Sequence, residues 1–217
     1  MDLEQARFNM VEQQIRPWGV LDETVLGTLY RVKREEYVPP VYRSLAFSDL
    51  EIPLGHGQTM LAPKLEARLL QALELKPTDK VLEVGTGSGY FTALLAQLAR
   101  DVVSVEILPE FSSEARAKLA AHEIHNVTFE VGDAARGWAR HAPYDAIVLT
   151  GSTPVLAEAF LHSLRPGGRL LAVVGEPPVM TARRVRLIEP GVSESEDLFE
   201  TCIAPLINAP QPARFVF

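Results

Sequence analysis

Residues 81–90, VLEVGTGSGY, decide the fold of this chain. Strand-favouring apolar residues lead into glycines 85, 87 and 89, and the helix-forming sequence FTALLAQLA follows at once. Glycine is needed where φ is positive or where the backbone closely approaches a ligand. The N–H groups that open the following helix then face whatever lies above the turn. The stretch therefore predicts a nucleotide-type cofactor site at the C-terminal end of a first parallel strand.

Three acidic residues narrow the choice of cofactor. Glu83 lies at the end of the first strand, Glu106 ends a second apolar strand, and Asp133 follows a third. Glu106 stands about 20 residues beyond Gly85, where a carboxylate can accept both ribose hydroxyls. The spacing G-x-G-x-G differs from the dinucleotide fingerprint, and carboxylates suit a sulfonium cofactor that carries no phosphate. The pattern resembles the class I S-adenosylmethionine-dependent methyltransferases; the alternative is a plain βα turn of another doubly wound protein.

The rest of the chain predicts an α/β protein with a doubly wound, mostly parallel, Rossmann-like methyltransferase sheet. Residues 144–149 are nearly all apolar, which favours a central strand. An antiparallel pair at 183–188 and 198–203 would complete the sheet. We predict an N-terminal helical and loop appendage over 1–62, contributing to the substrate site, and a cofactor-binding methyltransferase domain over 63–217. Helices are expected at 2–17, 63–75, 90–99, 110–122 and 156–164, and a short one capped by Asp22.

Composition excludes several classes of protein. The chain has 217 residues, 47% of them hydrophobic and 23% charged, which are globular values. A net charge of −7 argues against nucleic acid as a partner. No apolar run has membrane-spanning length and no signal peptide or metal-ligand spacing is found, so we expect no membrane and no metal. The single cysteine, Cys202, fits a cytoplasmic protein and is expected to be buried; the apolar tail 208–217 is expected to fold back.

Longer segments carry a closer resemblance. MVEQQIR (10–16), REEYVP (34–39), RSLAFSDLEIPLGHGQT (43–59), GDAARGW (132–138), APYDAIVLT (142–150) and LRPGGRLLAVVG (164–175) resemble the protein-L-isoaspartate O-methyltransferase family. The resemblance implies a repair enzyme that methylates the misplaced carboxylate of isoaspartyl residues in damaged peptides or proteins. It also implies S-adenosyl-L-methionine as cofactor and S-adenosyl-L-homocysteine as product. The oligomeric state does not follow from the sequence.

The resemblance assigns candidate site residues. Asp133 would accept the adenine amino group, although a plain helix N-cap is a compatible role. The remaining cofactor-binding candidates are Gln58, Thr59, Glu83, Gly85, Thr86, Gly87, Ser88, Gly89, Tyr90, Glu106, Ile107, Ala134 and Thr150. Because the acceptor carboxylate is already ionised at neutral pH, with a pKa of about 4, we expect no catalytic base. Thr59, Ser152 and Thr153 are the candidate catalytic residues.

Position 61 departs from the family pattern. Family members usually carry a serine there, whereas this chain has Leu61, which cannot donate a hydrogen bond. Losing such a contact costs about 1–3 kcal/mol. We hypothesise that Ser152 or Thr153 supplies the missing hydroxyl; the alternative is that both are only turn residues. His56, between two glycines, would have acid–base duty only if the acceptor were a hydroxyl or an amine.

Three functions remain open from the sequence. The first is isoaspartyl carboxyl methylation. The second is a methyltransferase of the same fold with a different, small-molecule acceptor, which Leu61 favours. The third is a cofactor-binding protein without turnover, because fold alone does not establish activity.

Overall fold

The computed structural model describes residues 2–212. Its main sheet has seven strands in the order β5-β4-β3-β6-β7-β8-β9. The pairs from β5 to β7 are parallel, and β8 is antiparallel to both of its neighbours. The strands are β3 (Lys80–Val84), β4 (Asp101–Glu106), β5 (Val127–Val131), β6 (Tyr144–Leu149), β7 (Leu164–Glu176), β8 (Val179–Glu189) and β9 (Val192–Thr201). The predicted sheet, with its central 144–149 strand and antiparallel C-terminal pair, is confirmed.

Helices cover the sheet, and a small hairpin lies apart from it. The hairpin joins β1 (Ile52–Gly55) to β2 (Gln58–Met60). The helices are α1 (Leu3–Asn9), α2 (Glu23–Arg31), α3 (Pro63–Ala72), α4 (Tyr90–Leu98), α5 (Pro109–Ala121) and α6 (Ala159–His162). Asp22 caps α2 as predicted, since its carboxylate accepts the N–H groups of Thr24 and Val25. Helix α3 ends at Ala72, just before Glu74 takes a positive φ, and α6 is shorter than predicted because β7 begins already at Leu164.

Strand alternation divides the core between the two faces of the sheet. Val81 of β3 packs into a cluster with the N-terminal segment, α3 and α4. Its neighbour Leu82 faces the opposite cluster, which contains Tyr144 and Phe160. Val84, at the end of β3, pairs with Val105 and with Leu149. The C-terminal ends of the three strands therefore meet at one edge, where a parallel sheet places its ligands.

The N-terminal segment is not the single helix that its periodicity predicts. Helix α1 gives way to a π-helical stretch, Met10–Ile15, and then to a 3-10 turn, Arg16–Trp18. The apolar positions Met10, Val11 and Ile15 are nonetheless fully buried. Periodicity thus identified the buried face but not the change in helix type; the π-helical stretch lies against α2 and α3.

The chain returns across the edge of the sheet after β9. The N–H of Ser152 donates to the carbonyl of Ala204, and the N–H of Leu206 donates back to Ser152. Of the tail 208–217 that was predicted to fold back, Asn208 does so by contacting Asp133, while residues 213–217 lie outside the described part. Cys202 is exposed, so the prediction that it is buried is wrong: it lies just beyond β9, a mostly exposed edge strand.

Candidate active site

A cavity of about 660 Å³, open to solvent at its mouth, lies at the C-terminal edge of the sheet. The loops after β3, β4, β5 and β6 form its floor, the β1–β2 hairpin one wall, and the returning C-terminal segment another. Nine of the predicted site residues line it: Gln58, Thr59, Gly85, Gly87, Glu106, Ile107, Asp133, Ala134 and Thr150.

The glycine turn forms the centre of the floor. Gly85 has φ +97°, and a Cβ built there would overlap Thr150 Oγ1. That threonine hydroxyl donates to the carbonyl of Gly85 over 2.6 Å, which ties the β3 turn to the β6 loop. Gly89 has a different role, since a Cβ there would come within 2.8 Å of Ala115 Cβ. Gly85 is therefore required by the turn beside the cavity, and Gly89 by the packing of α4 against α5.

Glu106 is held rigidly at the end of β4. One carboxylate oxygen accepts the N–H of Gly87 over 2.9 Å, and the other accepts the N–H of Leu108 over 3.1 Å. The side chain lines the cavity and is 6% exposed. Because a carboxylate has about four lone-pair positions, each oxygen can still accept a ligand hydroxyl.

Asp133 follows β5 and has two partners. One oxygen accepts the N–H of Ala135 over 3.0 Å, so the residue does cap the next turn. The other accepts the side-chain amide of Asn208 over 2.9 Å. Ile107 and Ala134 also line the cavity. The carboxylate stays at the cavity wall, and its remaining lone pairs can accept an amino group.

Glu83 is not part of the cavity. It is completely buried, and one oxygen accepts the hydroxyls of Thr92 and Ser104, both over 2.6 Å. Burial raises the pKa of the Glu83 carboxyl to about 8. The two hydrogen bonds lower this pKa, but their effect is smaller than that of burial. Ser104 also bonds Thr86 in the glycine turn over 2.6 Å. The prediction of direct cofactor contact for Glu83 is not supported, because the side chain points into the core.

The other residues of the glycine turn divide between an adjoining groove and the core. Thr86 and Ser88 line a groove beside the cavity, together with Thr59 and Leu61. Tyr90 is buried, with its ring under the Arg34 guanidinium at 4.9 Å. Burial raises the pKa of the Tyr90 hydroxyl. Tyr90 thus packs the core instead of lining the cavity.

The positions of Ser152 and Thr153 contradict the hypothesis that one of them supplies the hydroxyl that is missing at position 61. Ser152 is fully buried and donates to the carbonyl of Ile203 over 3.1 Å. Thr153 donates to the carbonyl of Val155 over 2.7 Å. Gly151 alone of these three residues lines the cavity. The hypothesis is wrong because the loop turns both hydroxyls toward the backbone of the protein, away from the cavity.

The hairpin supplies the wall opposite the glycine turn. His56 and Gly57 both have positive φ, as a two-residue hairpin turn requires. The His56 ring contacts Glu110 over 2.9 Å and does not line the cavity. Leu61 does line it, and its carbonyl accepts a hydrogen bond from Arg34 over 2.7 Å. The position of the family serine is therefore an apolar side chain inside the cavity.

Sequence reasoning missed part of the lining. Leu54 and Phe111 are apolar walls, and Leu206 and Ile207 come from the returning C-terminal segment. No motif marks the C-terminal residues, and the apolar character of the tail predicted only that it folds back. In residues 2–212, no cluster of three or more acidic, histidine or cysteine side chains could hold a metal.

Comparison with known proteins gives the family. The family profile described as Protein-L-isoaspartate(D-aspartate) O-methyltransferase (PCMT) matches residues 5–209. A protein-L-isoaspartate O-methyltransferase of Methanoculleus marisnigri is 42% identical over 203 residues, covering 93% of this chain and 91% of the relative. Protein-L-isoaspartate O-methyltransferase 1 of Rhodopseudomonas palustris is 40% identical over 215 residues, covering 95% and 87%.

Solved structures agree on the fold. A Plasmodium falciparum beta-aspartate methyltransferase (PCMT), crystallised in complex with S-adenosyl-L-homocysteine, aligns with a TM-score of 0.79 at 20% identity, over 95% of this chain and 99% of that one. A second structure, a protein-L-isoaspartate O-methyltransferase, aligns with a TM-score of 0.79 at 23% identity, over 94% of this chain and 66% of that one. With the profile and both relatives covering most of its length, the chain belongs to the protein-L-isoaspartate O-methyltransferase family.

Proposed function

We propose that this protein transfers a methyl group from S-adenosyl-L-methionine to the side-chain carboxylate of L-isoaspartyl residues in damaged proteins. S-adenosyl-L-homocysteine is the second product. The observation that carries the proposal is the match of the family profile over residues 5–209, with Glu106 and Asp133 on one wall of the cavity.

The cavity fits the cofactor on its own chemistry. Gly85 leaves no room for a side chain beside Thr150, so the backbone itself is the surface presented to a ligand. Glu106 would accept ribose hydroxyls and Asp133 the adenine amino group, with Ile107 and Ala134 as apolar neighbours of the base. Neither carboxylate forms an ion pair within residues 2–212, which leaves both negative charges available beside a cationic ligand. When bound, S-adenosylmethionine supplies an electrophilic methyl group on a sulfonium centre.

The reaction requires the protein to align the two reactants and to exclude water. A carboxylate oxygen of the acceptor forms the new bond to the methyl carbon, the methyl–sulfur bond breaks, and the sulfur keeps its electron pair. No proton moves, so no general base is required. Leu54, Leu61 and Phe111 exclude water from the cavity walls and strengthen the electrostatic contacts within it. The protein therefore contributes alignment of two charged partners.

The N-terminal part contributes to the acceptor side. We assign residues 1–62 as an appendage and residues 63–217 as the cofactor-binding domain. In support, the β1–β2 hairpin supplies Leu54, Gln58 and Thr59 to the cavity. Buried ion pairs hold this part in place: Arg7 binds Glu35, and Arg34 binds Glu66 of α3.

The partners and location belong to the same proposal. Isoaspartyl peptides and proteins are the substrates, and neither nucleic acid nor a membrane is a partner. No helix in the described residues is both long and apolar enough to span a bilayer. We propose a cytoplasmic location from the single cysteine.

A paired-peptide assay tests the function. Two peptides that differ only in an isoaspartyl or an aspartyl residue are incubated with labelled cofactor. Transfer to the isoaspartyl peptide alone is the expected result. Equal labelling of both, or of neither, contradicts the proposal.

One observation favours a second function. Leu61 removes the hydroxyl expected at the acceptor side, and its side chain lines the cavity. A methyltransferase with a small-molecule acceptor would show cofactor turnover without labelling of either peptide. Cofactor binding by calorimetry without any turnover would instead identify a binding protein.

A further inference from the structure

The two hydroxyl groups that line the cavity, and those of the loop after β6, donate their protons within the protein. Thr59 Oγ1 donates to Glu51 over 2.9 Å, and Thr150 Oγ1 donates to the carbonyl of Gly85. Ser152 and Thr153 donate to backbone carbonyls outside the cavity. A hydroxyl has one proton to donate, so none of these side chains has a donor left for an anion. The acceptor carboxylate therefore needs another partner.

Gln58 is the exception among the polar side chains that line the cavity. Its side chain is half-buried, lines the cavity, and makes no hydrogen bond with any residue in 2–212. The other polar lining residues are the two engaged threonines and the acids Glu106 and Asp133, whose oxygens accept hydrogen bonds. An uncharged amide carries two N–H donors. Gln58 thus brings the free side-chain donors to this wall.

The hairpin geometry holds Gln58 at the cavity, on an element separate from the strand ends that bear the acids. Gln58 pairs with Gly55 directly after the tight turn at residues 56–57. The hairpin lies over the glycine turn, since a Cβ on Gly87 would stand 3.4 Å from Leu54 Cδ1. Glu106 and Asp133 line the same cavity from the loops after β4 and β5. The cavity therefore has acids on its floor and an amide among apolar residues on the hairpin wall.

We propose that the side-chain amide of Gln58 donates a hydrogen bond to the acceptor carboxylate and holds it in the cavity, in place of the missing serine. This inference rests on the proposed function. It departs from the sequence prediction, in which Gln58 contacts the cofactor. An uncharged donor stabilises the carboxylate anion without neutralising its charge, so the carboxylate oxygen remains nucleophilic.

Kinetics of two substitutions test the assignment. Gln58→Ala removes the donors, and we expect KM for the isoaspartyl peptide to rise about tenfold, the factor for one hydrogen bond to a charged group. Gln58→Glu sets a carboxylate beside the acceptor, and we expect a larger rise, of about a hundredfold. Binding of S-adenosylhomocysteine, measured by calorimetry, stays at the wild-type value in both variants.

Matched controls separate this role from general damage. Gln97 is exposed on α4 and lies outside the cavity, so Gln97→Ala and Gln97→Glu keep the wild-type KM. Urea unfolding of each Gln58 variant checks that the hairpin still folds.

The outcomes distinguish the inference from the function. A wild-type peptide KM in Gln58→Ala overturns the inference while the function stands. Weakened S-adenosylhomocysteine binding with unchanged peptide KM also overturns it and assigns Gln58 to the cofactor. Absence of transfer to the isoaspartyl peptide by the wild type overturns the proposed function itself, and the inference with it.

Discussion

Replacing Glu83 by glutamine would change how stability depends on pH. The Glu83 carboxyl is fully buried on β3, and burial raises its pKa from 4.5 to about 8. Between these two values the folded chain keeps a proton that the unfolded chain has lost. Stability therefore falls as pH rises through this window, and the loss is complete above about pH 8. At about 1.4 kcal/mol per pKa unit, the loss over the whole window is on the order of 5 kcal/mol.

Glu83→Gln removes the ionisable group and keeps an acceptor oxygen for Thr92 and Ser104. The free energy of unfolding, measured in urea between about pH 5 and about pH 8, is compared for variant and wild type. The contributions of other groups cancel when the unfolding free energy of the wild type is subtracted from that of the variant. We expect this difference to rise by on the order of 4 kcal/mol from the lower to the higher pH, because only the wild type loses stability there. Glu189→Gln, at an exposed site on β8, is the matched control and leaves the difference constant. A difference that stays flat for Glu83→Gln would refute the reasoning.

Three further substitutions test the cavity. Gly85→Ala forces a Cβ onto Thr150 at a residue with φ +97°, so urea unfolding should show a loss of about 1–3 kcal/mol, and calorimetry no cofactor binding. Glu106→Ala removes the carboxylate expected to accept the ribose hydroxyls, and calorimetry should show about tenfold or greater loss of cofactor affinity; unchanged affinity would contradict that role. Ser152→Ala should keep the wild-type methylation rate while losing about 1 kcal/mol of stability, because the buried carbonyl of Ile203 loses its hydroxyl donor. A lower methylation rate at unchanged stability would contradict this expectation and make Ser152 a candidate catalytic residue again.

The floor of the cavity could be predicted because it is built from local sequence. A strand, a glycine turn and a helix follow one another within residues 81–98, so each glycine is placed by its neighbours. Glu106 and Asp133 end strands of the same parallel sheet, and topology alone brings strand ends together at one edge. These predictions need only the order of the elements and the alternation of apolar residues.

The walls could not be predicted in the same way, because they depend on distant contacts. Leu206 and Ile207 reach the cavity since the chain returns after β9 and pairs with Ser152. Asn208 then bonds Asp133 across 75 positions of sequence. No residue type in this segment signals a ligand. Its role exists only once the sheet is complete, so local patterns contain no trace of it.

Whether a polar side chain is free to bind a ligand is likewise decided by tertiary structure. Ser152 and Thr153 stand in the right loop and have the right chemistry, yet backbone carbonyls of the folded chain take their protons. Glu83 ends the right strand, yet strand alternation turns it into the core. The residue type thus determines which hydrogen bonds a side chain can form. Its neighbours in the folded chain determine whether any donor or acceptor is left free for a ligand.

Leu61 shows how a change at the acceptor wall can be tolerated. Its carbonyl is fixed by Arg34, and the same guanidinium binds Glu66 and the carbonyl of Ala46. All of these groups are buried, and breaking such a pair costs several times more than a surface contact. The backbone at position 61 is therefore held from behind, independently of the side chain that faces the cavity. Exchanging a hydroxymethyl for an isobutyl group alters the polarity of that wall without moving it, so a donor on the preceding strand β2, such as the Gln58 amide, can take over the contact.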